Sequence, residues 1–354
     1  MLVYIKAFLL AAVITGVLTP IAIKLAPKIG AMDVPKDERR MHDHPVPRFG
    51  GLGILIGMVA TILICVPKIE GVLGSKQIYG FIAGAIVMVI VGLIDDLHGL
   101  KPLQKAAGQC IAAIVACVFS VRVFAISNIF GEGYIVFPKW ISIIITVIWI
   151  VGITNTINLI DGLDGLAAGV SCISCFAVAY TSYLAGRPET CQLVLAIAGA
   201  AFGFLIFNFH PAKIFMGDAG SMLLGYCLAT MSLIGVSSTK TTVLFVSFIP
   251  LFILALPIFD TAFAIIRRVA NHRPIMVGDK GHLHHRIMAL GIGQRRAVVA
   301  LYCISAIMGV AGILWTMHMR IQALILAFIG ATLIWVFLGV DPSENKDEPE
   351  EDLK

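Results

Sequence analysis

Carboxylates, amides and imidazoles recur in this chain at the ends of apolar stretches, where a charge costs several kcal/mol if it faces lipid. Asp95 and Asp96 stand in "VGLIDDLHGLKP", Asn158, Asp161 and Asp164 in "NTINLIDGLDGLAAG", and Asp218 in "NFHPAKIFMGDAGS". Asp260 lies in a later apolar stretch, and His282, His284 and His285 follow it in "KGHLHHR". Carboxylates gathered together raise one another's pKa unless a cation sits among them. Hard oxygen donors with few sulfurs favour Mg²⁺, with Mn²⁺ as a substitute, over zinc. The basic and imidazole groups of 267–286 suit a diphosphate, so the chemistry indicated is metal-assisted phosphoryl transfer. Gly162, Gly165, Gly217 and Gly220 flank these acids and permit tight turns beside a ligand. "MGDAGS" lacks the Gly-Lys-Ser/Thr of a Walker A loop, which excludes a P-loop NTPase.

The elements that must carry these residues are membrane spans. Hydrophobic residues make up 59% of the 354, charged residues 13%, and the mean hydropathy is +0.95, outside the range of soluble domains. A spanning helix needs about 20 apolar residues. About eleven segments qualify, near 2–23, 50–67, 77–94, 106–125, 139–155, 165–185, 191–207, 219–236, 242–266, 297–317 and 321–340. The expected fold is therefore an all-α polytopic membrane protein of ten to eleven helices. With the N-terminus outside, about 18 of the 26 Lys and Arg fall in the loops after spans 1, 3, 5, 7 and 9 and in the tail, which the positive-inside rule places in the cytoplasm. The first segment reads as a retained span, since no small-residue cleavage site precedes the basic loop.

On this topology every acidic or imidazole cluster falls on or near the cytoplasmic side. The external loops offer only Glu70, Glu132 and Glu189. Any one cluster could be a solvated helix end or an ordinary Asp-Gly turn; four loops contributing to one face point to a site. The eight cysteines lie within or at the ends of apolar segments and read as packing residues, Cys172 and Cys175 included. No soluble domain is long enough to fold alone. Residues 1–340 form a single membrane domain, and 341–354 read as an acidic, disordered tail. The net charge of +5 is spread through loops and gives no nucleic-acid surface. A cation-coupled transporter is the rival from another class, but its carboxylates would sit near the midplane on broken helices, and no internal repeat is evident. A CDP-alcohol phosphotransferase is disfavoured because Leu166 and Ala167 follow Asp164-Gly165, without the D-G-x-x-A-R pattern.

"LIDDLHGL", "NTINLIDGLDGLAAG", "FNFHPAKIFMGDAGSMLLG" and "KGHLHHR" resemble the polyprenyl-phosphate N-acetylhexosamine-1-phosphate transferases, over about residues 36–290. The resemblance implies transfer of a sugar 1-phosphate from a UDP-sugar to undecaprenyl phosphate, with Mg²⁺ required and UMP released. It also implies a bacterial plasma membrane location and leaves room for a homodimer. "HLHH" is similar to the branch using UDP-N-acetylglucosamine to start envelope polysaccharides such as teichoic acid or O-antigen, whereas the peptidoglycan branch, using UDP-N-acetylmuramoyl-pentapeptide, typically shows three consecutive histidines. Leu97, His98 and Gly99 stand where that branch carries a basic residue after its paired aspartates.

By the same resemblance, Asp218 is a Mg²⁺ ligand, with Asn158 as a second. Asp95 orients or deprotonates the lipid phosphate, and Asp96 adds charge beside it. Asp161 and Asp164 hold the nucleotide, Phe215 packs on the uracil and Asn208 lines the same pocket. His282, His284, His285 and Arg286 contact the diphosphate and sugar. Lys105 matches a basic position after the paired aspartates, and "RRMHDHPVPRFGG", with His42 and Arg48, resembles the family's first cytoplasmic loop.

Overall fold

The computed structural model describes residues 2–34, 44–65, 75–127, 134–234, 248–272 and 281–340. His42, the stretch 242–247 of the ninth expected span and the tail 341–354 lie outside the described residues. The helices are α1 (Leu2–Ile29), α2 (Gly50–Cys65), α3 (Ser75–His98), α4 (Pro102–Val118), α5 (Lys139–Ile160), α6 (Leu166–Leu184), α7 (Pro188–Asn208), α8 (Gly217–Ile234), α9 (Phe248–Ile253), α10 (Ala255–Ala270), α11 (Leu283–Ala289), α12 (Gln294–Thr316) and α13 (Arg320–Leu338). Two antiparallel ladders accompany them, β1 (Met32–Asp33) with β2 (Val46–Pro47) and β3 (Ala125–Ser127) with β4 (Tyr134–Val136), so short strands are added to the expected all-helical fold.

The protein is a polytopic membrane protein. Among the described residues, α1, α3, α5, α6, α7, α12 and α13 are long and apolar enough to cross a membrane, and α2 and α4 are shorter apolar helices. That is fewer clear spans than the ten to eleven expected, and two differences have local causes. The fourth span, expected at 106–125, runs from Pro102, whose missing N–H costs nothing in a first turn, and ends before Ser120, which is left-handed at φ 68°. The ninth, expected as one helix, breaks at Leu254 into α9 and α10. Pro257 cannot donate to the carbonyl four residues back and is tolerated only in the first turn of a new helix.

The core is built around α8, which is buried on every side and packs on α3, α5 and α2. Small residues allow this approach, as bilayer packing requires in place of a hydrophobic driving force. A Cβ on Gly51 of α2 would lie 2.4 Å from the Gly220 nitrogen, and one on Gly92 of α3 would lie 2.3 Å from Ala219 Cα. Closely packed in this way, the N-terminus of α8 sits against the C-terminal end of α3 and the start of α2.

Candidate functional site

The N-terminus of α8 has unsatisfied amides, and α3 supplies their acceptor. Asp96, 2% exposed, accepts the N–H groups of Asp218 and Ala219 at 2.8 and 3.0 Å. A carboxylate there compensates the helix's positive end. Gly217, at φ +70°, makes room for it, because a Cβ would lie within 2.4 Å of Asp96 Oδ2. The Asp218 side chain is thereby aimed outward beside Asp96.

Three other elements meet there. Lys105, on the first turn of α4, places Nζ 2.8 Å from Asp218 Oδ1 and 3.0 Å from Asp95 Oδ2. From the last turn of α5, Asn158 donates to Asp218 Oδ1 at 2.6 Å and to Ser221, and its own Oδ1 accepts from Lys105 at 3.0 Å. Arg48 lies before α2, where the backbone pairs with the segment preceding α8: Phe215 donates to Pro47, Gly50 to Phe215 and Gly51 to Met216. That pairing fixes Arg48 between Asp96 and Asp218, at 2.9 Å from each. Burial works against the Arg48 cation, but Asp96 and Asp218 outweigh it and hold its pKa above the ordinary guanidinium value. The Asp95 carboxylate also accepts the Leu100 N–H at 2.6 Å, closing the turn after α3.

Asp161 ends α5 in the same cleft. Its carboxylate makes no hydrogen bond with a described residue, and burial, reinforced by Asp218, pushes its pKa up to about 7. Asp95, Asp96, Asp161 and Asp218 thus face Arg48 and Lys105 with a formal deficit of two positive charges. No three His, Cys, Asp or Glu side chains among the described residues converge as a ready-made metal cage. The donor set nevertheless fits Mg²⁺, which takes one or two carboxylates and leaves its other positions to water and phosphate oxygens.

A second group borders the first. Asp164 Oδ2 lies 2.8 Å from His210 Nδ1 and accepts the Ala212 N–H at 3.1 Å. Asn208 is buried with both ends of its amide engaged, Oδ1 by the Gly165 N–H at 3.1 Å and Nδ2 by the Ile214 carbonyl at 2.8 Å, so it ties the turn before α6 to the loop after α7. Phe215 is half-buried with its backbone paired to 47–50.

The histidine segment forms a third group against the Asp161 turn. A Cβ on Gly162 would lie 2.6 Å from His284 Nε2. His284 is buried, its Nε2 has no hydrogen-bond partner among the described residues, and burial, with His285 beside it, lowers its pKa to about 3; it is a neutral ring in this arrangement. His284 stacks parallel to His282 at 5.9 Å and lies 4.2 Å from the His285 ring. Arg286 is turned to the far end of α13, donating to the carbonyls of Leu338 and Val340 and to that of Gly281.

The structure therefore joins Asp95, Asp96, Asn158, Asp161, Asp218, Lys105 and Arg48 in one cleft, with Asp164, Asn208 and Phe215 on one border and the histidines on the other. Sequence reasoning assigned nothing to His210 or to Gln109 and Asn155, whose amides bond reciprocally at 2.8 and 3.1 Å one helical turn beneath Lys105 and Asn158. The signal was the spacing: Gln109 is four residues after Lys105, and Asn155 three before Asn158. Chemically, the cleft offers two cations and uncompensated carboxylates at the end of a membrane bundle, which suits a phosphorylated substrate brought together with a divalent cation.

Comparison with known proteins agrees with this chemistry. The profile of the family described as glycosyl transferase family 4 matches residues 78–236. The chain is 39% identical over 312 residues to the "Probable undecaprenyl-phosphate N-acetylglucosaminyl 1-phosphate transferase" of Bacillus subtilis, covering 87% of this chain and 83% of that one. It is 37% identical over 317 residues to the decaprenyl-phosphate N-acetylglucosaminephosphotransferase of Mycolicibacterium smegmatis, covering 83% and 77%. With the phospho-N-acetylmuramoyl-pentapeptide-transferase of Geobacillus kaustophilus it shares 30% over 315 residues, covering 85% and 94%.

Proposed function

Since this chain belongs to glycosyl transferase family 4, we propose that it transfers N-acetylglucosamine 1-phosphate from UDP-N-acetylglucosamine to undecaprenyl phosphate at the cytoplasmic face of a bacterial plasma membrane, initiating an envelope polysaccharide. The observation that carries this reading is the cleft in which Arg48 and Lys105 bridge Asp95, Asp96 and Asp218 at the meeting of α3, α4, α5 and α8. A membrane-bound acceptor and a soluble nucleotide sugar can meet only at such a boundary.

An oxygen of the lipid phosphate attacks the donor's β-phosphorus, the bond from that phosphorus to the bridging oxygen breaks, and UMP leaves with the electron pair. Asp95 orients the attacking phosphate and takes its remaining proton. Lys105 and Arg48 hold the diphosphate, exchanging part of their present carboxylate contacts for phosphate oxygens. Asp218, with Asn158 Oδ1 and Asp161, would hold Mg²⁺. When bound, the metal neutralises charge on the diphosphate. Asp164, paired to His210, and Phe215 border the space for the nucleotide.

Sugar choice follows from the histidine segment, where Leu283 separates His282 from His284 and is buried beside Leu256 and Leu301. The second reading, with UDP-N-acetylmuramoyl-pentapeptide as donor, is favoured by the 30% identity to the Geobacillus protein. Purified protein given undecaprenyl phosphate, Mg²⁺ and a panel of UDP-sugars tests both readings. UMP release with UDP-N-acetylglucosamine is expected; preferential turnover of the pentapeptide donor would reassign the branch, and no release with any donor would reject the transferase reading.

A further inference from the structure

Asp260 has no place in the mechanism above, yet it is 2% exposed and uses both carboxylate oxygens on the histidine segment. From α10, Oδ2 lies 3.0 Å from His282 Nδ1, while Oδ1 accepts the Leu283 N–H at 2.7 Å and so caps the first turn of α11. A carboxylate that only accepts compels Nδ1 to carry a proton. The other ring nitrogen, Nε2, is then left with the lone pair. His282 keeps a side-chain exposure of 8%, and its ring stacks on that of His284, which lies against Gly162 in the Asp161 turn.

We propose that Asp260 is a positioning residue for the transfer reaction, fixing the tautomer and ring plane of His282 so that Nε2 meets the donor's diphosphate. Resting on the transferase reading, this gives His282 a definite role: when Nε2 takes up a proton, the ring donates it as a hydrogen bond to a diphosphate oxygen, and the buried carboxylate balances the positive charge. His284 and Arg286 do not share this role, because the first is a buried neutral ring pressed on Gly162 and the second is turned to the end of α13.

Asp260→Asn separates this role from mere helix capping. The amide oxygen can still accept the Leu283 N–H, but its NH₂ now faces Nδ1, so His282 loses both the acceptor that fixes its Nδ1–H and the negative charge that balances its protonated ring. The expected result is a fall in kcat of about 10- to 100-fold, the loss typical of partners that fix a histidine's tautomer and ring orientation. The KM for the UDP-sugar should move less than about 3-fold, because ground-state binding rests mainly on Arg48 and Lys105. In a His282→Ala background the same substitution should add nothing, because residues acting as a unit are not additive. Histidine ¹⁵N spectra of the wild-type protein at alkaline pH should show His282 protonated at Nδ1, a readout that needs neither turnover nor the variant. A Nε2-protonated His282, a wild-type kcat in Asp260→Asn, or an equal loss in the His282→Ala background would each overturn the proposal. Wild-type protein releasing no UMP from any donor would instead reject the transferase reading, and the ¹⁵N spectra would still decide the tautomer.

Discussion

Asp218→Asn puts the reading of the cleft to its hardest test. The carboxylate accepts Lys105 Nζ at 2.8 Å, Asn158 Nδ2 at 2.6 Å and the Arg48 guanidinium at 2.9 Å. An amide keeps one acceptor oxygen and turns a donor toward a neighbour that is itself a donor. One charge-assisted hydrogen bond is lost, worth about 1.5–3 kcal/mol. Removing the charge that would hold the metal adds to this at the transition state, so about 3–4 kcal/mol of stabilisation should vanish, a fall in kcat/KM of roughly 10²- to 10³-fold. The fold should survive, because Asp96 caps α8 through the backbone N–H groups of residues 218 and 219, which the substitution leaves in place. UMP release by detergent-solubilised protein measures the first expectation, and its thermal midpoint the second. Turnover within about 3-fold of wild type, far short of the expected loss, would refute the assignment of Asp218 to the reacting centre.

Chelation with EDTA should abolish UMP release and added Mg²⁺ or Mn²⁺ should restore it; activity that persists after chelation and dialysis would remove the metal from the reaction. Gly217→Ala should destabilise the protein and lower activity together, because φ +70° costs a non-glycine residue about 1–2 kcal/mol and the new Cβ would press on Asp96. An unchanged thermal midpoint would contradict this. His284 predicts a pH dependence of stability: its folded pKa of about 3 lies below the unfolded 6.5, so the unfolded chain binds the extra proton between these values. The contribution is complete above the unfolded pKa and declines by about 1.4 kcal/mol per pH unit as pH falls toward the folded one. Thermal midpoints from pH 7.5 downward should therefore drop less steeply in His284→Gln than in wild type, and parallel slopes would argue against a buried neutral ring.

The spans were legible because long apolar runs have few meanings, and the cleft was legible as a set because acids at the ends of such runs are costly. The partners within it were less so. Arg48 reaches Asp218 across 170 residues of sequence through backbone pairing of 47–51 with 215–216, which leaves no local pattern. Asp164 resembles its neighbour Asp161 in the text "DGLDG" yet is paired with His210 at 2.8 Å, while Asp161 is left without a hydrogen bond to a described residue. The sequence placed Arg286 among the substrate contacts as part of a basic motif, whereas its guanidinium meets the carbonyls that α13 exposes at its end. Those carbonyls exist only once α13 is folded and docked, so no spacing announces them.

The burial of α8 has a mechanical consequence. Its whole length is jacketed by other helices, while α13 presents Ile321, Phe328 and Trp335 outward at 73%, 74% and 70% exposure. Bilayer thickness and acyl-chain order act on surfaces that lipid touches, and tilting of such helices is one way mismatch is accommodated, whereas α8 is enclosed by its neighbours. Through Arg286, however, the end of α13 is tied to the helix bearing the histidines. The two halves of the cleft therefore stand on different footings, one enclosed by packed helices and the other tied to a helix whose outer face is open.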